Sequence, residues 1–284
     1  MSGGAPTRWF AVTGASGFVG RHVVSALRAR GIGVVALGRR PHAQAHDLRW
    51  VPFDLAAPAG PGIDALREVD ALVHLAWEGL PNYRARRHLD DELPRQRAFV
   101  DAALAAGVRR LVVAGTCFEY GMREGELHER LEPAPANPYG EAKDALRRHA
   151  EEACAVHGCG LAWARLFYLY GDGQAPTSVW SQLNDHVRRG EPGFPMSGGQ
   201  QVRDFLPIGS AAEQLARLAE VRRAAGVVNL CSGQARTLEQ TVRGWIAEHG
   251  WDIRLELGRF PYPCHEPFTF WGSRSRLDEA LVGP

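Results

Sequence analysis

The chain is 284 residues long, 45% hydrophobic and 23% charged, the balance of a globular protein with a substantial core rather than of a disordered tail, a fibre or a disulfide-stapled peptide. Its 33 basic and 32 acidic side chains nearly cancel to a net charge of +1 and are spread along the chain, so neither nucleic acid nor an anionic membrane is an expected partner. No apolar run approaches the roughly 20 residues of a membrane span, and the stretch after Met1 lacks the apolar core of a signal peptide, so the expected location is the cytoplasm.

Arg8 to Thr13 is a short apolar run ending in a glycine-rich turn, and Gly17 to Arg30 then sets Val19, Val23, Val24 and Leu27 at helical spacing. Further apolar runs follow at Gly33 to Leu37, Leu48 to Phe53, Ala71 to Ala76, Leu111 to Ala114 and Leu161 to Phe167, with helix-like stretches between several of them. Strands alternating with helices predict an α/β protein, a Rossmann-type doubly wound parallel sheet. That domain is expected over residues 1–170. Residues 171–284 turn Gly- and Pro-rich around helices near Ser178 to Arg189, Ser210 to Arg223 and Leu238 to His249, and predict a smaller lobe, some segments of which return to the first domain.

The first turn reads Thr13-Gly14-Ala15-Ser16-Gly17-Phe18-Val19-Gly20. Glycines at 14, 17 and 20 allow a tight turn, a close approach of backbone to a pyrophosphate, and close packing of helix on strand. The free amides at the helix start then face the phosphates. The second strand ends in Gly38-Arg39-Arg40, where an NAD site usually offers a carboxylate to the ribose hydroxyls. Two guanidinium groups suit a 2′-phosphate instead, so the expected cofactor is NADP(H) rather than NAD. Asp54, after the third strand, is placed to accept from the adenine amino group or simply to start a loop.

Of the 33 basic residues one is a lysine, Lys143, and it stands four residues after Tyr139. That spacing puts ammonium and phenol on one helical face, where the ammonium is expected to lower the phenol's pKa toward a range useful for proton transfer. The five cysteines, at 117, 154, 159, 231 and 264, form no Cys-x-x-Cys pair and read as small buried hydrophobes. His42 and His46 have metal-ligand spacing but lie in the loop after Arg40, and no metal site is expected.

The chain resembles the extended short-chain dehydrogenase/reductase family of nucleotide-sugar epimerases, dehydratases and reductases. The resemblance rests on residues 13–20, Asp54-Leu55, His74-Leu75-Ala76, Gly115-Thr-Cys-Phe-Glu-Tyr-Gly121, Tyr139 to Lys143, Arg165 to Gly171 and Arg203-Asp-Phe205. It implies Thr116, Tyr139 and Lys143 as catalytic residues. The same resemblance implies a cofactor site made by Gly14, Ser16, Gly17, Phe18, Val19, Gly20, Arg39, Arg40, Asp54, Leu55, Leu75, Ala76 and Phe167 together with that trio. Substrate contacts are implied for Trp77, Cys117, Phe118, Tyr168 and Arg203, the last on a nucleotide-sugar diphosphate. Glu78 joins Trp77 as a residue that can line the cleft, while Trp180, Phe194 and Trp271 read as core.

Family dehydratases place Asp and Glu after the catalytic Thr, where this chain has Cys117 and Phe118, and neither can act as a carboxyl acid for elimination. Epimerases that invert beside a ketone place a cysteine at the position of Phe118, one away from Cys117. Reduction is therefore the simplest chemistry left, with C4 epimerisation next. Asn229-Leu-Cys-Ser-Gly233 and the string at 115–121 are similar to those of 4-keto-sugar reductases of the CDP-abequose synthase type. Tyr168 replaces a usual Asn, and Ile208-Gly-Ser210 a usual Val-x-Asp. The expectation is NADPH-dependent reduction of a nucleotide-activated 4-keto-6-deoxysugar. The alternatives are a 4-epimerase with retained NAD, an NADPH-dependent reductase of a non-sugar carbonyl, and a redox-sensing binding protein. Asp90 to Ala106 and the helix after Tyr139 are, by the same resemblance, candidates for a homodimer interface; a core-facing stripe at Leu93, Phe99, Val100 and Leu104 would look alike.

Overall fold

The computed structural model describes residues 6–39, 44–221, 223–263 and 266–282, so Arg40, His42 and Cys264 lie outside the described residues. Strand β1 (Trp9–Thr13) turns Phe10 and Val12 to one face and Ala11 to the other, all wholly buried. A strand buried on both faces belongs inside a parallel sheet. The glycine turn leads to α1 (Phe18–Ala29), β2 (Gly33–Gly38), β3 (Leu48–Pro52), the short α2 (Pro61–Asp64) and β4 (Ala71–His74). The strand expected over Ala71 to Ala76 stops at His74, because Leu75 and Ala76 donate their amides to Thr13 Oγ1 at 3.1 and 3.2 Å instead of extending the ladder.

Next come α3 (Leu93–Ala105), β5 (Arg110–Thr116), β6 (Gly125–Leu127), α4 (Pro138–His157) and β7 (Gly160–Leu166). The helix expected from Asp90 starts at Leu93, since Pro94 fits only a first turn, and His88–Glu92 makes a wider turn ahead of it. Helix α4 is fixed at both ends. The Asn137 side chain accepts from the Gly140 N–H at 2.9 Å, and Gly158 closes the helix in the left-handed region at φ +62°.

The rest comprises β8 (Tyr168–Tyr170), α5 (Val179–Arg188), β9 (Gly193–Pro195), β10 (Val202–Arg203), β11 (Phe205–Pro207) and α6 (Ile208–Glu220). After them come β12 (Gly226–Leu230), β13 (Arg236–Thr237), α7 (Leu238–His249), β14 (Arg254–Glu256), β15 (Phe270–Gly272) and α8 (Ser275–Leu281). Helix α7 has the expected limits because Thr237 and Gln240 form a reciprocal cap at its start.

Seven strands form one parallel sheet in the order β12-β7-β5-β4-β1-β2-β3, the α/β Rossmann-type architecture read from the sequence. Its order reverses at β1, with β2 on one side and β4 on the other. The crevice at the strands' carboxyl ends there is where a doubly wound sheet takes its ligand. Val23, Leu27, Leu215, Leu218 and Leu277 of α1, α6 and α8 pack on one face, and Phe99, Leu104 and Leu146 of α3 and α4 on the other. The stripe Leu93, Phe99, Val100 and Leu104 thus belongs to the core. The remaining strands pair by twos, β8 with β11, β9 with β14, β10 with β13 and β6 with β15. Trp180 and Phe194 join Leu183 and Trp245 in a separate small core, and Trp271 is half-buried.

Candidate active site

Gly14 has φ +66°, and a Cβ there would meet the Ala76 nitrogen at 2.9 Å; one on Gly20 would lie 2.0 Å from the Gly14 carbonyl oxygen. The Gly17 N–H donates to that same oxygen at 2.9 Å, and no side chain caps the start of α1, which leaves its first amides open to an anion. A cleft of about 230 Å³ runs past this turn, lined by Gly14, Ser16, Gly17, Arg39, Asp54, Leu55, Leu75 and Ala76 from among the expected cofactor residues. A glycine cradle that side chains cannot enter, between β1 and the ends of β2 and β4, fits a dinucleotide pyrophosphate. Phe18 and Val19 pack against the core behind the turn, and Phe167 is buried against Tyr120 and Phe270 and does not line this cleft.

Trp77, Glu78, Glu92 and Arg95 also line the cleft. Glu92 and Arg95 carried no sequence signal; they come from the turn before α3 and from its first turn. Behind them runs a chain of buried hydrogen bonds. The Thr13 hydroxyl donates to His74 Nδ1 at 2.7 Å, His74 Nε2 donates to Gln96 Oε1, and Gln96 Nε2 donates to Glu92 Oε1 at 2.8 Å and to the Ala76 carbonyl at 2.9 Å. Burial pushes the His74 pKa down to about 3, so its ring is neutral and this tautomer is fixed.

Thr116 ends β5, Tyr139 lies in the first turn of α4 and Lys143 one turn on, and all three are buried. The Thr116 Oγ1 accepts from the Phe118 N–H at 3.3 Å. Lys143 Nζ donates to the Ala114 carbonyl at 2.7 Å and sits 3.9 Å from the centre of the Trp77 ring, which meets the Tyr139 ring edge-on at 5.6 Å. The expected lowering of the Tyr139 pKa by Lys143 does not occur here. Burial, helped by Tyr83, Glu119 and Cys117, raises the phenol well above its usual range, with the neighbouring Thr116 side chain opposing. Burial likewise brings Lys143 down to about 7, with Glu119 and Glu92 opposing. Both groups are dry, and desolvation outweighs the attraction of their charged forms.

Glu119, a third residue to which the sequence assigns no role, fixes Thr116 from below. Its Oε1 accepts from the Thr116 N–H and from Trp163 Nε1, each at 2.9 Å, and its Oε2 accepts from Arg165 Nε at 2.7 Å. Gly115 makes room for this, since a Cβ there would meet Trp163 Nε1 at 2.2 Å.

On the substrate side Cys117 is buried among Tyr120, Leu127, Phe167, Cys231 and Phe270, and burial raises its thiol pKa far above the usual value, so it is no nucleophile. Phe118 rests 4.9 Å from the Tyr83 ring, itself 5.4 Å from Tyr139, and both line a pocket of about 510 Å³ with Arg84, Asn82, Met122 and Asn137. Arg203 is 4% exposed, and its donors are engaged by Glu266 at 3.0 Å and by the carbonyls of Val202 and Phe268 at 2.8 and 3.0 Å. Tyr168 donates to the same Glu266 at 2.6 Å. Those three bonds hold the guanidinium in place at the position expected to meet a diphosphate. The four described cysteines are buried and free, and among the described residues no helix is long and apolar enough to cross a membrane.

The sheet and its glycine-cradled cleft are those of a Rossmann-type protein. The chain belongs to the NAD dependent epimerase/dehydratase family, whose profile matches residues 10–231, as the sequence resemblance implied. It is similar to a dTDP-6-deoxy-L-talose 4-dehydrogenase (NAD(+)) of Aggregatibacter actinomycetemcomitans, 28% identical over 93% of this chain and 98% of that one. A dTDP-6-deoxy-L-talose 4-dehydrogenase (NAD(P)(+)) of Kitasatospora kifunensis is 30% identical over 94% of this chain and 86% of its own length. Among solved structures, MoeE5 in complex with UDP-glucuronic acid and NAD is 30% identical, with a TM-score of 0.81 over 96% of this chain and 92% of that one.

Proposed function

We propose that the protein reduces the 4-keto group of a nucleotide-activated 4-keto-6-deoxysugar, with NADPH as reductant. The observation that carries the reading is the buried Thr116–Tyr139–Lys143 group beside the cleft, with Cys117 and Phe118 where elimination would need carboxyl acids. A bound nicotinamide supplies the hydride. Thr116 holds the carbonyl oxygen, and Tyr139, its phenol kept protonated by burial, gives the proton. Lys143, anchored on the Ala114 carbonyl, offsets the negative charge left on the Tyr139 oxygen. Arg39 at the cleft rim and Arg40 beside it in sequence support a 2′-phosphorylated cofactor. The names of the two similar dehydrogenases support the chemistry, because a 4-dehydrogenase and a 4-ketoreductase run one C4 conversion in opposite directions.

The test is loss of NADPH absorbance with purified protein against dTDP-, CDP- and GDP-linked 4-keto-6-deoxyhexoses, with product stereochemistry read by NMR. Oxidation with one of them is expected. No oxidation across the panel while NADPH binds would move the reading to a non-sugar carbonyl. A cofactor that survives dialysis, with a nucleotide hexose inverted and no net NADPH loss, would mark a 4-epimerase.

A further inference from the structure

Glu78 follows β4 and Arg39 follows β2, the two strands that flank β1, and their side chains meet over the cleft at 2.7 Å. The Glu78 carboxylate also faces Arg87 at 3.6 Å and Arg95 at 4.0 Å, so three guanidinium groups converge on one carboxylate. Its main chain is held, since the Glu78 N–H donates to Glu92 Oε1 at 3.0 Å and Glu92 is itself buried and bonded to Gln96. Only the side chain is at liberty to change partners.

The side chains of Arg39 and Glu78 are 66% and 36% exposed, so the pair contributes little to stability and is easily exchanged. When Arg39 leaves, Glu78 is not stranded, because Arg87 and Arg95 remain beside it. A 2′-phosphate offers a guanidinium more charge and more acceptor oxygens than one carboxylate does. A ribose with both hydroxyls cannot displace Glu78 from Arg39, but its hydroxyls can donate to a carboxylate.

We infer that Glu78 sets the choice between phosphorylated and unphosphorylated dinucleotide by competing with the 2′-phosphate for Arg39. The inference rests on the reading of the cleft as a dinucleotide site. The sequence alone, with two arginines after β2 and no carboxylate there, points to the phosphorylated cofactor without opposition. The fold returns a carboxylate to that rim from a different strand.

The experiment is calorimetric titration of the full chain with 2′,5′-ADP and with 5′-ADP, neither of which reports on activity, for the native protein, Glu78→Gln, Arg39→Ala and the double variant. Glu78→Gln is expected to tighten 2′,5′-ADP about tenfold against 5′-ADP, and to have no such effect once Arg39 is alanine. An equal change for both nucleotides in Glu78→Gln, or the same tightening in the Arg39→Ala background, overturns the competition. Failure of the native protein to bind either nucleotide, NADPH or NADH would overturn the dinucleotide reading and the inference with it.

Discussion

Two carboxylate–guanidinium pairs of equal length mark the two ends of the site, and they do opposite things. Glu119 and Arg165 meet at 2.7 Å with 0% and 2% of their side chains exposed, whereas Arg39 and Glu78 meet at 2.7 Å with 66% and 36% exposed. In water the second pair gains little and exchanges partners readily; in the interior the first cannot release either ion without stranding the other. Glu119 accordingly fixes the backbone of Thr116, while Glu78 can yield Arg39 to a ligand. Distance alone says nothing about which role a pair plays; solvent decides it.

Substitutions at the buried end should give the largest effects. Tyr139→Phe is expected to cut turnover by about 100- to 10,000-fold while dinucleotide binding, followed by titration, is retained. Retained turnover would remove Tyr139 from the mechanism. Glu119→Gln keeps an acceptor for the Thr116 N–H but leaves Arg165 unpaired in the core, and urea denaturation should show a loss of about 3–5 kcal/mol. Adding Arg165→Met to Glu119→Gln should recover much of that, since the introduced amide oxygen still serves the Thr116 N–H. If the single and double changes cost the same, the charge pair is not what the core depends on.

Two smaller effects are read in pH. The Lys143 ammonium is present below about 7, so if it offsets the charge left on Tyr139, the reduction rate falls as pH rises through that value, by up to about tenfold per pH unit. Lys143→Arg, charged throughout, should lack that falling limb in whatever rate remains. His74, ordinarily titrating near 6.5, is held to about 3 in the folded chain. Between those values the unfolded state takes up a proton that the native state does not. Stability is therefore unaffected by His74 above about 6.5, falls as pH drops toward about 3 by roughly 1 kcal/mol per pH unit, and levels off below. A flat stability profile over that window would mean that His74 charges in place. Smallest of all, Glu78→Gln should leave urea stability within about 0.5 kcal/mol of the native value; a larger loss would make the exposed pair structural after all.

The parts that could be read from sequence are those whose causes are local. The glycines at 14, 17 and 20 act on one another and on the next helix, and Tyr139 and Lys143 share one turn of α4. Alternating apolar runs gave the sheet because a buried strand must be apolar wherever it pairs. Glu119 was hidden because its partners Trp163 and Arg165 reach it only through the pairing of β5 with β7. Arg203 looked available for an anion because nothing near it in sequence announces Glu266 or the carbonyl of Phe268. The phenol's environment was misjudged for a related reason: spacing shows that an ammonium is near, but not that Trp77 and the helix have dried both groups.

The place of β12 bears on how the molecule is made. It completes the sheet beside β7, and α6, which covers one face of that sheet, comes only shortly before it in the chain. During synthesis β7 therefore waits with an open edge, and a nascent chain released before Gly226 presents that edge to any neighbour. Tyr139 and Lys143 leave the ribosome long before the sheet around them can close.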